Sequence, residues 1–157
     1  MNPTPCQTCE LVKRRDTGEA SLWDSIYRTE YWDIAHAFNV SLPGWLVLII
    51  RRHIAAVDEL TAHEAVELGN LIRAASIALK QVTGCEKTYV MQFAESADHP
   101  HVHFHIVPRM KDQPEDKKGP KIFGYIVSDE ESRISEEAMN TLASAIKPLL
   151  ISILSEG

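Results

Sequence analysis

At 157 residues the chain has the length of one domain, with a core that buries roughly 68–70% of the unfolded surface. Hydrophobic residues make up 45% and charged residues 24%, ordinary globular usage that excludes a disordered, collagen-like or coiled-coil chain. Sixteen Lys+Arg against 22 Asp+Glu give a formal net charge of -6, which argues against coating nucleic acid or an anionic membrane through bulk charge and leaves room for a local basic pocket.

The stretch up to Asp16 has no apolar core of signal-peptide length, and the longest strongly apolar run, Leu46 to Ile50, is far short of a membrane span. A cytoplasmic protein with no membrane partner is expected. Cys6-Gln7-Thr8-Cys9 sets two thiols at a spacing that, in a reducing compartment, indicates metal or redox chemistry more than a structural disulfide. Tyr31 to Phe38 and Trp45 to Ile50 read as strands, paired as a hairpin by a turn at Leu42 to Gly44. Asp58 to Val82 reads as a helix, with Thr61 as N-cap and Glu64 completing a capping box. Cys85, after Gly84, reads as a small half-buried turn residue. Thr88 to Phe93 and His101 to Val107 are strand-like and predicted to pair across the polar connection Ala94 to Pro100. Lys111 to Lys121 reads as a loop and Ile122 to Val127 as a short strand. Ser135 to Leu154 reads as a helix with Pro148 as a kink or break. No repeat or linker divides the chain, so a single α+β domain over residues 1–157 with an antiparallel sheet is expected.

Four of the seven histidines fall in His99-Pro100-His101-Val102-His103-Phe104-His105. On an extended strand His101, His103 and His105 share one face while Val102, Phe104 and Ile106 face the other. Three histidines around one zinc is one reading. Residues i and i+4 of a strand lie about 13 Å apart at roughly 3.3 Å per residue, however, whereas zinc holds nitrogens at about 2.0–2.1 Å. An open row of imidazoles suits phosphoryl chemistry better: one neutral nitrogen attacks phosphorus, its neighbours donate hydrogen bonds to the oxygens, and Arg109 adds charge. The cations Lys111, Lys117, Lys118 and Lys121 are interrupted by Asp112, Glu115 and Asp116, a solvated loop rather than a nucleic-acid surface.

The segment His101-Val102-His103-Phe104-His105-Ile106-Val107-Pro108-Arg109 resembles the signature of the histidine triad superfamily of nucleotidyl hydrolases and transferases. The resemblance extends upstream to Leu42-Pro43-Gly44-Trp45 and Arg51-Arg52-His53, and covers about residues 5 to 110. It implies an antiparallel sheet of about five strands with one long helix and a C-terminal helix. It implies His103 as nucleophile, forming a covalent nucleotidyl-histidine, and His101 and His105 as hydrogen-bonding partners of the phosphate and the leaving group. Gln92 and Ser96 fall where relatives contact phosphate. The implied substrates are dinucleoside polyphosphates, nucleoside phosphoramidates or nucleotide sugars, and the implied assembly is a homodimer. Trp45 stands where relatives often carry histidine and reads as a core aromatic. The ribose-binding residue of relatives has no counterpart between His36 and Asn39.

In zinc-binding relatives an N-terminal Cys-x2-Cys joins the histidine after a basic pair and the first triad histidine. Here those positions are Cys6, Cys9, His53 and His101, with His99 an alternative to His101, and the resemblance implies a structural zinc ion. An exposed or oxidised cysteine pair is the competing reading. A nucleotide-binding regulatory module with little catalysis is the alternative to an enzyme.

Overall fold

The computed structural model describes residues 5–156. Short β-branched and apolar runs separated by turns form β1 (Tyr27–Arg28), β2 (Trp32–His36), β3 (Leu46–Ile50), β4 (Lys87–Gln92) and β5 (His103–Arg109). They make one antiparallel sheet in the order β1-β2-β3-β5-β4. Three helices accompany it: α1 (Gln7–Asp16), α2 (Ala62–Thr83) and α3 (Glu136–Ser155).

The two-residue period of the strands sorts their side chains onto two unlike faces. Ile34, Leu48 and Ile106 join the core with Leu71, Ala75 and Leu79 of α2 and Ala143, Ile146 and Leu150 of α3. Ala35 and Ile49 point the other way, where Val12 of α1 covers them. Farther along, Trp45 and Val107 pack with Ile122 of the C-terminal segment. Between these two covers the sheet stays open, and that gap is the cleft described below.

Gly44 closes the β2–β3 turn with φ +91°, and an added Cβ would lie 3.2 Å from both Pro108 and Thr83. Its N–H donates to Nε2 of the buried His36, whose Nδ1 donates to the Ala37 carbonyl. Both nitrogens of His36 are thereby engaged in holding the turn.

α2 begins at the predicted cap: Thr61 Oγ1 accepts from the Glu64 amide at 3.2 Å, and the Glu64 carboxylate accepts from the Thr61 amide at 2.9 Å. Arg52 binds the same carboxylate at 2.8 Å and, as the leading cause, holds its pKa down at about 2. Replacing Thr61 by Ala is expected to cost about 1 kcal/mol, read as a lower urea midpoint at unchanged slope. An unchanged midpoint would show that the cap contributes nothing.

α1 is held less by apolar burial than by charge. Its Arg15 side chain is 2% exposed and reaches Asp24 at 2.8 Å and Asp33 at 3.5 Å, while Arg28 takes the other Asp33 oxygen at 2.6 Å. Two carboxylates and two guanidiniums thus satisfy one another beneath the helix, the condition under which buried charge is tolerated.

Several boundaries differ from the sequence-based expectation. β1 was not anticipated, and β2 is shorter than Tyr31 to Phe38. Val57–Glu59 forms a separate 310 turn ahead of α2. β5 starts at His103 rather than His101. Ile122 to Val127 is not a strand: Gly119–Tyr125 is a 310 helix, and only the single bridge Val40 to Ile126 follows. Pro148 sits inside an unbroken α3. Both Pro148 and Ser144, whose carbonyl loses its helical donor there, are exposed, so water takes the vacant acceptor. Cys85 is buried outright, at 1% exposure.

Candidate functional site

The open part of the sheet is a cleft of about 300 Å³ whose wall includes His99, His103 and His105. β5 pairs with β3 so that His103 lies opposite Ile49 and His105 opposite Val47, which directs both imidazoles to the α1 side of the sheet. Their ring centroids are 5.0 Å apart. His103 Nδ1 lies 2.7 Å from the His101 carbonyl oxygen. A carbonyl only accepts, so Nδ1 carries the proton and Nε2 keeps its lone pair.

His105 is in the opposite tautomer. The Trp45 indole N–H donates to His105 Nδ1 at 3.0 Å, which leaves the proton on Nε2. Burial, with a smaller contribution from neighbouring His103, pushes the His105 pKa down to about 4. Trp45 therefore does more than fill the core: 0% exposed, it sets the hydrogen-bonding state of a cleft histidine. Sequence reading missed this because the pair is 60 residues apart and meets only through the β3–β5 pairing.

His105 gives a pH prediction with a definite sign. The unfolded chain takes up a proton near pH 6.5 that the folded chain refuses until about pH 4. Its contribution to stability is therefore complete above pH 6.5 and is lost as the pH falls towards 4. His105→Gln is expected to lose less stability than wild type between pH 6.5 and 4.5 in urea titrations. Parallel profiles for the two proteins would contradict this account of His105.

His101 departs from the expected row. It precedes β5, is 0% exposed, and turns Nδ1 towards Cys6 Sγ at 3.6 Å, Cys9 Sγ at 3.5 Å and His53 Nδ1 at 3.2 Å. Cys9 Sγ lies 3.3 Å from His53 Nδ1. The four donor atoms fall within 4.8 Å of one another. A tetrahedral zinc ion with bonds near 2.0–2.1 Å to nitrogen and 2.3 Å to sulfur requires edges of about 3.3 Å between nitrogens and about 3.5 Å between nitrogen and sulfur. The four distances above are close to those lengths.

His101 Nε2 is 2.6 Å from the Ile50 carbonyl, and donating to it leaves Nδ1 free as a ligand. The His101 side chain therefore points into the cysteine–histidine cluster and does not line the cleft, which departs from its expected contact with phosphate, while its backbone carbonyl orients His103. His99 is not in the cluster; its Nδ1 pairs with Thr8 Oγ1 at 2.8 Å. Burial and the neighbouring Cys6 thiol push the Cys9 thiol up to about 11, and a bound cation reverses that balance by stabilising the thiolate.

The remaining predicted residues divide. Ser96 lines the cleft, as do Phe38, Phe93 and Phe123. Gln92 lies opposite Phe104, and Phe104 packs into the helix-side core and against Trp32. Gln92 therefore belongs to the opposite face of the sheet, which removes it from the phosphate contacts expected of it. Arg109 is six residues beyond His103, about 20 Å along a strand, and donates to the Met110 carbonyl. It does not line the cleft and cannot supply charge beside the imidazoles.

No protein-family model matches the chain, and no curated protein matches it. Solved structures do. A hypothetical histidine triad nucleotide-binding protein from Sulfolobus tokodaii superposes with a TM-score of 0.68 at 16% identity, over 92% of this chain and 93% of that one. The chain has the histidine triad fold. A zinc-bound histidine triad family protein from Mycobacterium smegmatis superposes with a TM-score of 0.64 at 15% identity, covering 99% of this chain and 100% of the other. A histidine triad protein from Marinobacter aquaeolei gives 0.67 at 21% identity, over 82% and 89%. Within the histidine triad fold the expected sheet of five strands, long central helix and C-terminal helix are all present. What the fold leaves to this chain is the particular filling of its cleft: a tryptophan on His105, and a further histidine, His99, in the wall.

Proposed function

We propose that the chain is a nucleotide hydrolase or transferase that attacks the α-phosphorus of a nucleoside monophosphoryl conjugate, a dinucleoside polyphosphate or a nucleoside phosphoramidate, and releases a nucleoside monophosphate. The observation that carries this reading is the pair of opposite tautomers on β5: an unprotonated Nε2 on His103 beside a protonated Nε2 on His105. A lone pair next to a neutral donor is what attack on an anionic phosphoryl group requires.

In the first step the His103 Nε2 lone pair forms a bond to phosphorus, and the bond to the leaving group breaks with its electron pair departing on that group; a polyphosphate leaves as the anion, and an amine leaves with a proton taken up from solvent. The positive charge that develops on the ring is shared with Nδ1–H, which the His101 carbonyl accepts. His105 donates to a phosphoryl oxygen as charge accumulates there. Water then attacks phosphorus, the N–P bond returns its pair to Nε2, and the proton lost by water leaves to solvent.

Cys6, Cys9, His53 and His101 would hold a zinc ion in a closed set of four protein donors, which suits a structural ion. When bound, that ion supplies a cross-link between α1, the segment after β3 and the segment before β5. The resemblance in the triad segment also supports a homodimer as the working assembly.

The test is chromatography of products from a diadenosine polyphosphate and from adenosine phosphoramidate. AMP released from either supports the reading and chooses the leaving group. Release from neither overturns it.

A further inference from the structure

The cleft contains an imidazole for which the triad chemistry provides no part. His99 lines it together with His103 and His105, while the His101 side chain is withdrawn into the cysteine–histidine cluster, with Nε2 on the Ile50 carbonyl. His36 also lines it, but both its nitrogens are taken up in the β2–β3 turn, so the imidazoles left to meet a ligand are those of residues 99, 103 and 105.

The placement of His99 is built rather than incidental. Its Nδ1 meets Thr8 Oγ1 at 2.8 Å, and Thr8 is only 4% exposed, between Cys6 and Cys9 on the first turn of α1. The backbone around it is fixed on both sides: the His99 amide donates to the Ser96 carbonyl at 3.1 Å, and the His99 carbonyl accepts from the His101 amide at 2.8 Å. The Gln7 amide donates to the Asp98 carbonyl at 2.9 Å, tying the loop to the start of α1. His99 is the one partner of the Thr8 hydroxyl among the described residues. A hydroxyl can take either role; in the tautomer where it donates to Nδ1, Nε2 carries the proton and presents a neutral N–H donor to the cleft.

We propose that His99, held by Thr8, is a phosphate-binding residue of this cleft, donating from Nε2 to a non-bridging oxygen of the nucleoside monophosphoryl group in place of the withdrawn His101 side chain. This rests on the nucleotide reading of the cleft given above. It makes the two donors, His99 and His105, flank the nucleophile on either side. It also gives Thr8 a function distinct from that of the two cysteines around it: the same turn of α1 serves the metal cluster with Cys6 and Cys9 and the cleft with Thr8.

The experiment is calorimetric titration of AMP and of adenosine into zinc-loaded wild type, His99→Ala, His99→Gln and Thr8→Val, with zinc content and melting temperature recorded for each. A hydrogen bond to a charged oxygen predicts a loss of about 10- to 100-fold in AMP affinity for His99→Ala, with adenosine affinity unchanged and zinc retained. His99→Gln, whose amide N–H can reach the place of Nε2, recovers most of the loss. Thr8→Val shows a smaller loss of the same selectivity, because the ring is no longer held in one tautomer. Equal losses for AMP and adenosine, an unchanged AMP affinity, or zinc lost from His99→Ala would each overturn the proposal. Wild type that binds neither ligand defeats the nucleotide reading itself, an outcome distinct from wild type binding AMP no better than His99→Ala.

Discussion

Replacing His103 by Ala is expected to lower nucleoside monophosphate release by a factor on the order of 10³ or more, the range seen when a covalent nucleophile is removed, while AMP still binds. The variant keeps the donors around the phosphoryl group and loses the one lone pair positioned to attack it. His103 Nδ1 is fixed on the His101 carbonyl, which leaves Nε2 as the attacking nitrogen. His105 offers a proton at its cleft-facing nitrogen, with its other nitrogen occupied by Trp45. Wild type quenched in alkaline denaturant, where an N–P bond survives, is expected to retain radiolabel from an α-labelled substrate, and His103→Ala is not. Residual turnover above about a tenth of wild type would mean that the reaction does not pass through a nucleotidyl-histidine.

Purified protein is expected to carry about one zinc per chain, and Cys9→Ser to carry almost none. Loss of an ion bound at 100 to 1,000 times its Kd removes about 3 to 4 kcal/mol. For a chain of this size that amounts to a melting temperature lower by on the order of 10 °C. The loss is expected to be uneven. Hydrogen exchange should accelerate first over Gln7–Asp16, because Cys6 and Cys9 belong to α1 and its N-terminal turn, whereas α2 and α3 contribute no residue to the cluster. Metal analysis finding no zinc in reduced, chelator-free protein would refute the site, as would a Cys9→Ser variant that melts with wild type.

The parts of this architecture that were legible in the sequence are those written as periodicity. Thr61 and Glu64 announced the start of α2, and the alternation of His103, Phe104 and His105 correctly assigned imidazoles to one face and the ring of Phe104 to the core. α1 was not legible. Of its buried residues Thr8, Val12 and Arg15 only one is apolar, and burying an arginine depends on Asp24 and Asp33, which come from later in the chain. The Cys-x2-Cys spacing located the cysteine–histidine cluster through resemblance, yet it took the fold to show that His101 lies ahead of the strand to join it. Gln92 and Arg109 failed for geometric reasons. A one-residue step along β4 exchanges faces, and distance along β5 grows too fast for a residue six positions on to share the site.

α1 is anchored at one end by the cysteine–histidine cluster and at the other by Arg15, and its inner side, with Thr8, Leu11 and Arg15, forms a wall of the cleft. The two sites therefore share a single boundary. If an ion in the cluster steadies that wall and so tightens nucleotide binding by some factor, a nucleotide in the cleft must tighten the hold on the ion by the same factor. Occupancy of one site then depends on the concentration of the other's ligand, and scarcity of metal would be felt first as weakened affinity for substrate, before any of the chain unfolds.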